Sequence, residues 1–142
     1  MIAAHADAVL GLLRADEWLT VYPVADGAAG DGRIVPAGAV PPYAVAHLYV
    51  EPTLGPNLVR ASIRRRVRAI VHCVGADHAA ARAVQQRVQD ALLDVRPDVA
   101  GMTCWPIRCE SVQAPRPDES TGSLIVDVVA TYTYLSQPAS SG

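Results

Sequence analysis

Two β-rich runs, split by a proline- and glycine-bearing break and followed at once by an amphipathic helix, constrain this chain more than any other feature. Residues 42–50 read PYAVAHLYV and residues 61–74 read ASIRRRVRAIVHCV. Both are rich in the Val, Ile and Tyr side chains that fit a pleated surface. The break at 51–57 carries Pro52, Gly55 and Pro56, residues that favour a long hairpin loop over continued pairing. The pattern predicts an antiparallel arm.

Within the second run, successive side chains leave on opposite faces, so Arg64, Arg66 and Arg68 share one face at intervals of about 7 Å, twice the rise per residue. Ile70, His72 and Val74 continue that face. From Val67 to Val74 the run is largely apolar on both faces, as expected of a strand passing from an exposed end into the middle of a sheet. Two readings of the arginine stripe stand side by side. One is a charged edge that discourages sheet-to-sheet aggregation; the other is a contact with a second subunit or a partner protein.

A chain of 142 residues buries about two thirds of its unfolded surface and carries its own core without metals or disulfides. One domain is expected over residues 1–135, with a small polar tail at 136–142 that frays. The 12 basic residues are all arginine, against 14 acids, for a formal net charge of -2. No overall field favours nucleic acid or an anionic membrane. The first residues, MIAAHADA, lack the basic leader of a signal peptide, and the apolar run at 124–130 is broken by Asp127, so no spanning helix is expected. Cys73, Cys104 and Cys109 lack the paired short spacings of zinc sites; they are expected to be reduced thiols, with Cys73 in the core.

Along the chain, Ile2, Ala6, Val9, Leu10 and Leu13 fall at helical spacing, predicting an amphipathic helix over 2–15 that packs on a sheet. A short extended piece at 18–24 leads into a Gly- and Asp-rich loop at 25–39. Asp77 is placed to cap a helix running to Val95, with Ala80, Ala81, Val84, Val88, Ala91, Leu92 and Val95 on its apolar stripe and Pro97 beyond its end. A further strand is expected at 105–112, an exposed loop at 114–122, and a last strand at 123–135. The fold class that follows is α+β: a mostly antiparallel β-sheet of about four to five strands with two α-helices packed on one face.

Candidate chemistry is thin. His72 beside Cys73 invites a thiol-catalysis reading, but neighbours on a strand point to opposite faces, so His72 does not activate Cys73 directly. His78 lies nearest, in the first turn of the next helix. The chain is read as a non-enzyme. His5, His47, His72 and His78 form no i, i+4 pair, no oxygen-rich calcium loop is present, and neither metal nor cofactor is expected. Arg60, Arg64, Arg65, Arg66 and Arg68 suggest phosphate contacts, against which stand the negative net charge and the absence of interleaved aromatics; no specific nucleic-acid binding is expected.

The order of elements resembles the tail terminator, or tail completion, family of long-tailed bacteriophages. The resemblance rests on the N-terminal helix, the Val21-Tyr22-Pro23 step, the entry Pro41-Pro42-Tyr43-Ala44-Val45, the strand Arg66-Val67-Arg68-Ala69-Ile70-Val71 and the helix over 77–95. It covers nearly the whole chain as a likeness of layout. It implies a structural virion protein, assembled in the host cytoplasm, that forms a homo-oligomeric, typically hexameric, ring on the head-proximal end of the tail tube. Such a ring halts tube polymerisation and presents a surface to the head's neck proteins. Under that reading Arg64, Arg66 and Arg68 contact a neighbouring subunit or the tube protein. Another neck or head-completion protein, or a small nucleic-acid-binding domain, are the alternatives.

Overall fold

The computed structural model describes residues 2–23, 40–51, 64–118 and 125–139. The expected loop at 25–39, the hairpin break and the end of the tail lie almost wholly outside them. Helix α1 (Ile2–Arg14) is followed by β1 (Val21–Pro23), β2 (Tyr43–Val50), β3 (Arg65–Gly75), α2 (His78–Leu92), β4 (Met102–Cys104), β5 (Arg108–Val112), β6 (Arg116–Asp118) and β7 (Ile125–Pro138).

Long strands organise the sheet. β3 pairs antiparallel with β2 along Val50↔Val67 to Tyr43↔Val74, and with β7 along Arg65↔Ser136 to Gly75↔Val126. The outer side of β7 is covered in succession by β4, β5 and β6, all antiparallel. The expected α+β class with two helices and a mainly antiparallel sheet is what the chain adopts, with seven strands instead of four or five. The extra count arises because one lane of the sheet is built from three short strands. The sheet is also mixed: β1 runs parallel to β2, with Val21 opposite Ala44, since the link over residues 24–42 exceeds the dozen or so residues a parallel crossover needs.

Alternation along β3 decides which face is buried. Val67, Ala69, Val71 and Cys73 lie in the core with Ala44 and Ala46 of β2 and Val126, Val128, Ala130, Tyr132 and Tyr134 of β7. Both helices close over this face, α1 through Val9 and Leu13 and α2 through Ala81, Val84, Val88 and Leu92. Burying each such valine or leucine side chain contributes about 1.5–3 kcal/mol. His5 is the buried polar member of α1; its Nδ1 lies 2.7 Å from the Tyr134 hydroxyl. Burial lowers its pKa from 6.5, helped by the charge of the N-terminus.

Local chemistry sets the helix ends. Asp77, extended at φ -146°, accepts a hydrogen bond from the Ala80 amide at 2.7 Å, the expected cap. α2 stops at Leu92, short of the expected Val95. Asp94 turns left-handed at φ 62° and donates its amide to the Ile107 carbonyl, and an aspartate tolerates that conformation where most residues do not. Gly75 brings β3 against the start of α2: a Cβ there would lie 2.2 Å from the Ala81 amide nitrogen.

Three boundaries differ from the sequence reading. The strand expected over 105–112 begins only at Arg108, as β5, because the Ile107 amide turns away to the Val95 carbonyl, and β4, ahead of Trp105, is absent from the sequence reading. Part of the expected loop at 114–122 is β6, which accommodates Pro117 because its outer side pairs with nothing among the described residues. β7 continues to Pro138, past the expected end at Leu135, and Ser136 is fully buried.

Candidate functional site

The face of the sheet away from the helices grades from apolar to basic along β3. Near Gly75, Tyr22, Tyr43, Val45, Val74 and Ile125 close on one another. One step along, His72 Nδ1 sits 2.9 Å from Asp127 Oδ2, joining neighbouring strands diagonally, since the register partner of Asp127 is Val74. Then come Arg68, Arg66 and Arg64, which share this face as the alternation requires.

The three arginines have different surroundings. Arg68 is the most enclosed, with 23% of its side chain exposed. Its Nε and Nη2 donate to Glu110 Oε2 and Oε1 at 2.9 and 3.0 Å, and Nη1 pairs with Glu51. This forked arrangement matches guanidinium to carboxylate plane on plane. Hydrogen bonding from Arg68 is the main cause that holds the Glu110 carboxyl below its usual range; the charges of Arg68 and Arg66 add to it. Arg64, one residue before β3, lays its guanidinium over the Trp105 ring, 4.8 Å from the centroid. Arg66 is exposed and makes no ion pair among the described residues.

Arg66 lines a pocket of about 300 Å³ with Trp105, Pro106, Arg108, Thr133 and Leu135. Register explains the gathering. Arg66 pairs with Leu135 from one side of β7, and Arg108 pairs with Thr133 from the other. Paired residues share a face, so Thr133 and Leu135 form a floor with Arg66 on one side of β7 and Arg108 on the other, offset by two residues along the strand. The Trp105 amide donates to the Leu135 carbonyl at 2.9 Å, which holds the backbone of Trp105 beside the floor. Arg108 also pairs with Asp94; both are more than half exposed.

Sequence reasoning placed the arginine stripe and missed its companions. Glu110 follows Arg68 by 42 residues and sits at a β-bulge between Cys109 and Ser111, where simple alternation does not fix a side chain's direction. Trp105 and Arg108 carried one signal, a large aromatic beside Pro106 between two short strands and a cation at the start of the second, which acquires meaning only once β7 is laid beside β3.

The thiol reading finds no geometry. Cys73 is fully buried on the helix side of the sheet, with its thiol pushed up to about 12 mainly by burial, while His72 stands on the opposite face with Asp127. Cys104 is buried and Cys109 exposed. Among the described residues, no group of three or more His, Cys, Asp or Glu side chains is placed to hold a metal ion, and no helix is long and apolar enough to cross a membrane.

No protein-family model matches the sequence, and no curated protein does. The fold has solved counterparts. A chain from the virion of a native gene transfer agent particle superposes with a TM-score of 0.64 at 16% identity, over 92% of each chain. A second solved chain is alike at a TM-score of 0.58 and 20% identity, over 97% of this chain and 94% of that one. At these identities the likeness establishes a common fold.

Proposed function

We propose that this protein is a structural component of a phage-type virion, and within that class a tail terminator. In this role it forms a closed, hexameric ring at the head-proximal end of the tail tube, stops tube polymerisation and offers the docking surface for the head's neck proteins. The observation that carries the reading is a fold shared along nearly its whole length with a chain of a gene transfer agent virion. Fold alone does not fix a role, so three features of the chain narrow it. The order of elements resembles that of tail terminators, the body is one rigid sheet under two helices, and the far face carries cations and an aromatic-walled pocket suited to protein contacts. The role requires no chemistry, in keeping with a buried Cys73 thiol separated from His72 by the sheet.

A ring needs two complementary surfaces per subunit in head-to-tail contact. Electron microscopy of purified tails tests this directly, with an affinity tag on the protein marked by gold. The expected image is a ring of label at the head-proximal tip only. Label along the tube, or on the head side of the neck after tails are detached, rejects the terminator role in favour of a tube protein or a head-completion protein.

A further inference from the structure

We infer that the pocket between Arg66 and Arg108 is a docking site for an acidic segment of a partner protein, seating one aspartate or glutamate carboxylate on Arg66 and a neighbouring apolar side chain against Trp105 and Leu135. That the partner is a virion protein rests on the function proposed above; the chemistry of the pocket does not.

Complementarity supplies the argument. The floor is a β-strand surface, Thr133 and Leu135, and the wall is the indole of Trp105, whose backbone is tied to Leu135 and whose ring is covered by Arg64, so the apolar half of the site is preformed. Arg64, stacked on Trp105 at 4.8 Å from the ring centroid, adds a further cation next to the pocket. Arg68 is already satisfied by two carboxylates, and Arg108 by Asp94. Arg66 has no such partner among the described residues, although it stands on a β-strand whose position is fixed by pairing on both sides. A cavity of about 300 Å³ accommodates one or two side chains and falls at the lower end of the range of preformed sites.

A carboxylate fits better than a phosphate chain. The positive charge is local: Glu110 lies beyond Arg68 and Asp94 beyond Arg108, and the whole chain carries a net charge of -2. Nucleic acid needs a continuous basic track along several phosphates, which these carboxylates interrupt. A single acidic side chain meets only the favourable centre of the field.

The test replaces Pro106, at the pocket rim, with a diazirine amino acid in cells producing the particle, followed by irradiation and mass spectrometry of the adduct. The expected adduct is a peptide with an Asp or Glu beside an apolar residue. It falls at least tenfold in Arg66→Glu and returns when the captured carboxylate is changed to arginine in the partner. An adduct on a carboxylate-free segment, on nucleic acid, or unchanged by Arg66→Glu overturns the inference, as does no adduct at all. A charge-swappable acidic adduct on a protein that is not a virion component upholds the pocket's chemistry and rejects the proposed function, so the two failures are told apart. A thermal melt of Arg66→Glu close to that of the parent shows that a lost adduct reports on docking and not on unfolding.

Discussion

Arg68 grips Glu110 through two near-parallel hydrogen bonds, at 2.9 and 3.0 Å, across β7. The pair ties the centre of the sheet to its outermost lane, so it belongs to the fold as much as to any surface. Exchanging Arg68 for alanine should lower the melting temperature slightly, and Glu110→Ala should add little to that loss in the double variant, because both changes remove one interaction. The sign with pH follows from the depressed Glu110 pKa. Its contribution is complete above the ordinary glutamate range and is lost as pH falls through the lower folded value. A thermal double-mutant cycle at neutral and at acid pH checks it: non-additivity should shrink in acid, and full additivity at neutral pH removes the pair from the account.

Gly75 and Gly11 should respond to the same substitution with opposite signs. A methyl at Gly75 meets the backbone of Ala80 and Ala81, which no rotamer change relieves, whereas nothing lies within 4 Å of one at Gly11. Gly75→Ala is expected to cost about 1–3 kcal/mol or more from overpacking. Gly11→Ala, in the exposed side of α1, should gain about 0.5–1 kcal/mol. Urea unfolding of both variants measures this.

His5 should titrate below 6.5, the value from which burial lowers it. A base whose folded pKa is depressed leaves the unfolded chain holding more protons, so stability is complete above about pH 6.5 and declines as pH falls toward the folded value. Tyr134→Phe removes the neighbour at 2.7 Å from a buried imidazole and should cost roughly 1–3 kcal/mol. An NMR titration of the ring protons decides the direction; a midpoint at or above 6.5 contradicts it.

Much of this architecture can be read from the residues. Asp77 caps α2 because its spacing to the apolar stripe leaves few alternatives, and strand alternation fixes which residues of β3 share a face. The arginines share a face for the same reason. What escapes a linear reading is set by partners distant in sequence. The bulge at Glu110 and the gathering of Trp105, Arg108 and Leu135 depend on the register of β7, and α2 ends three residues early because the Asp94 amide finds the Ile107 carbonyl. β6 escaped because two prolines in four residues resemble a loop until a long neighbouring strand offers the other half of the pairing.

Alkylation of the native protein should label Cys109 and spare Cys73 and Cys104, which are buried. Cys73, its thiol at about 12, holds almost no thiolate at neutral pH. Mass spectrometry after brief iodoacetamide treatment should find one modified thiol in the folded protein and three in denaturant. Rapid native labelling of Cys73 would reopen the thiol-catalysis reading.

Tail length in particles produced without this gene tests the proposed role most directly. Tails should be overlong and headless, and the parent gene should restore normal length and infectivity. Complementation with the Arg66→Glu variant should fail to restore them while the variant melts near the parent temperature, since Arg66 is exposed and lacks the paired carboxylates that hold Arg68. Tails of normal length with heads attached, in the absence of the gene, would contradict the account.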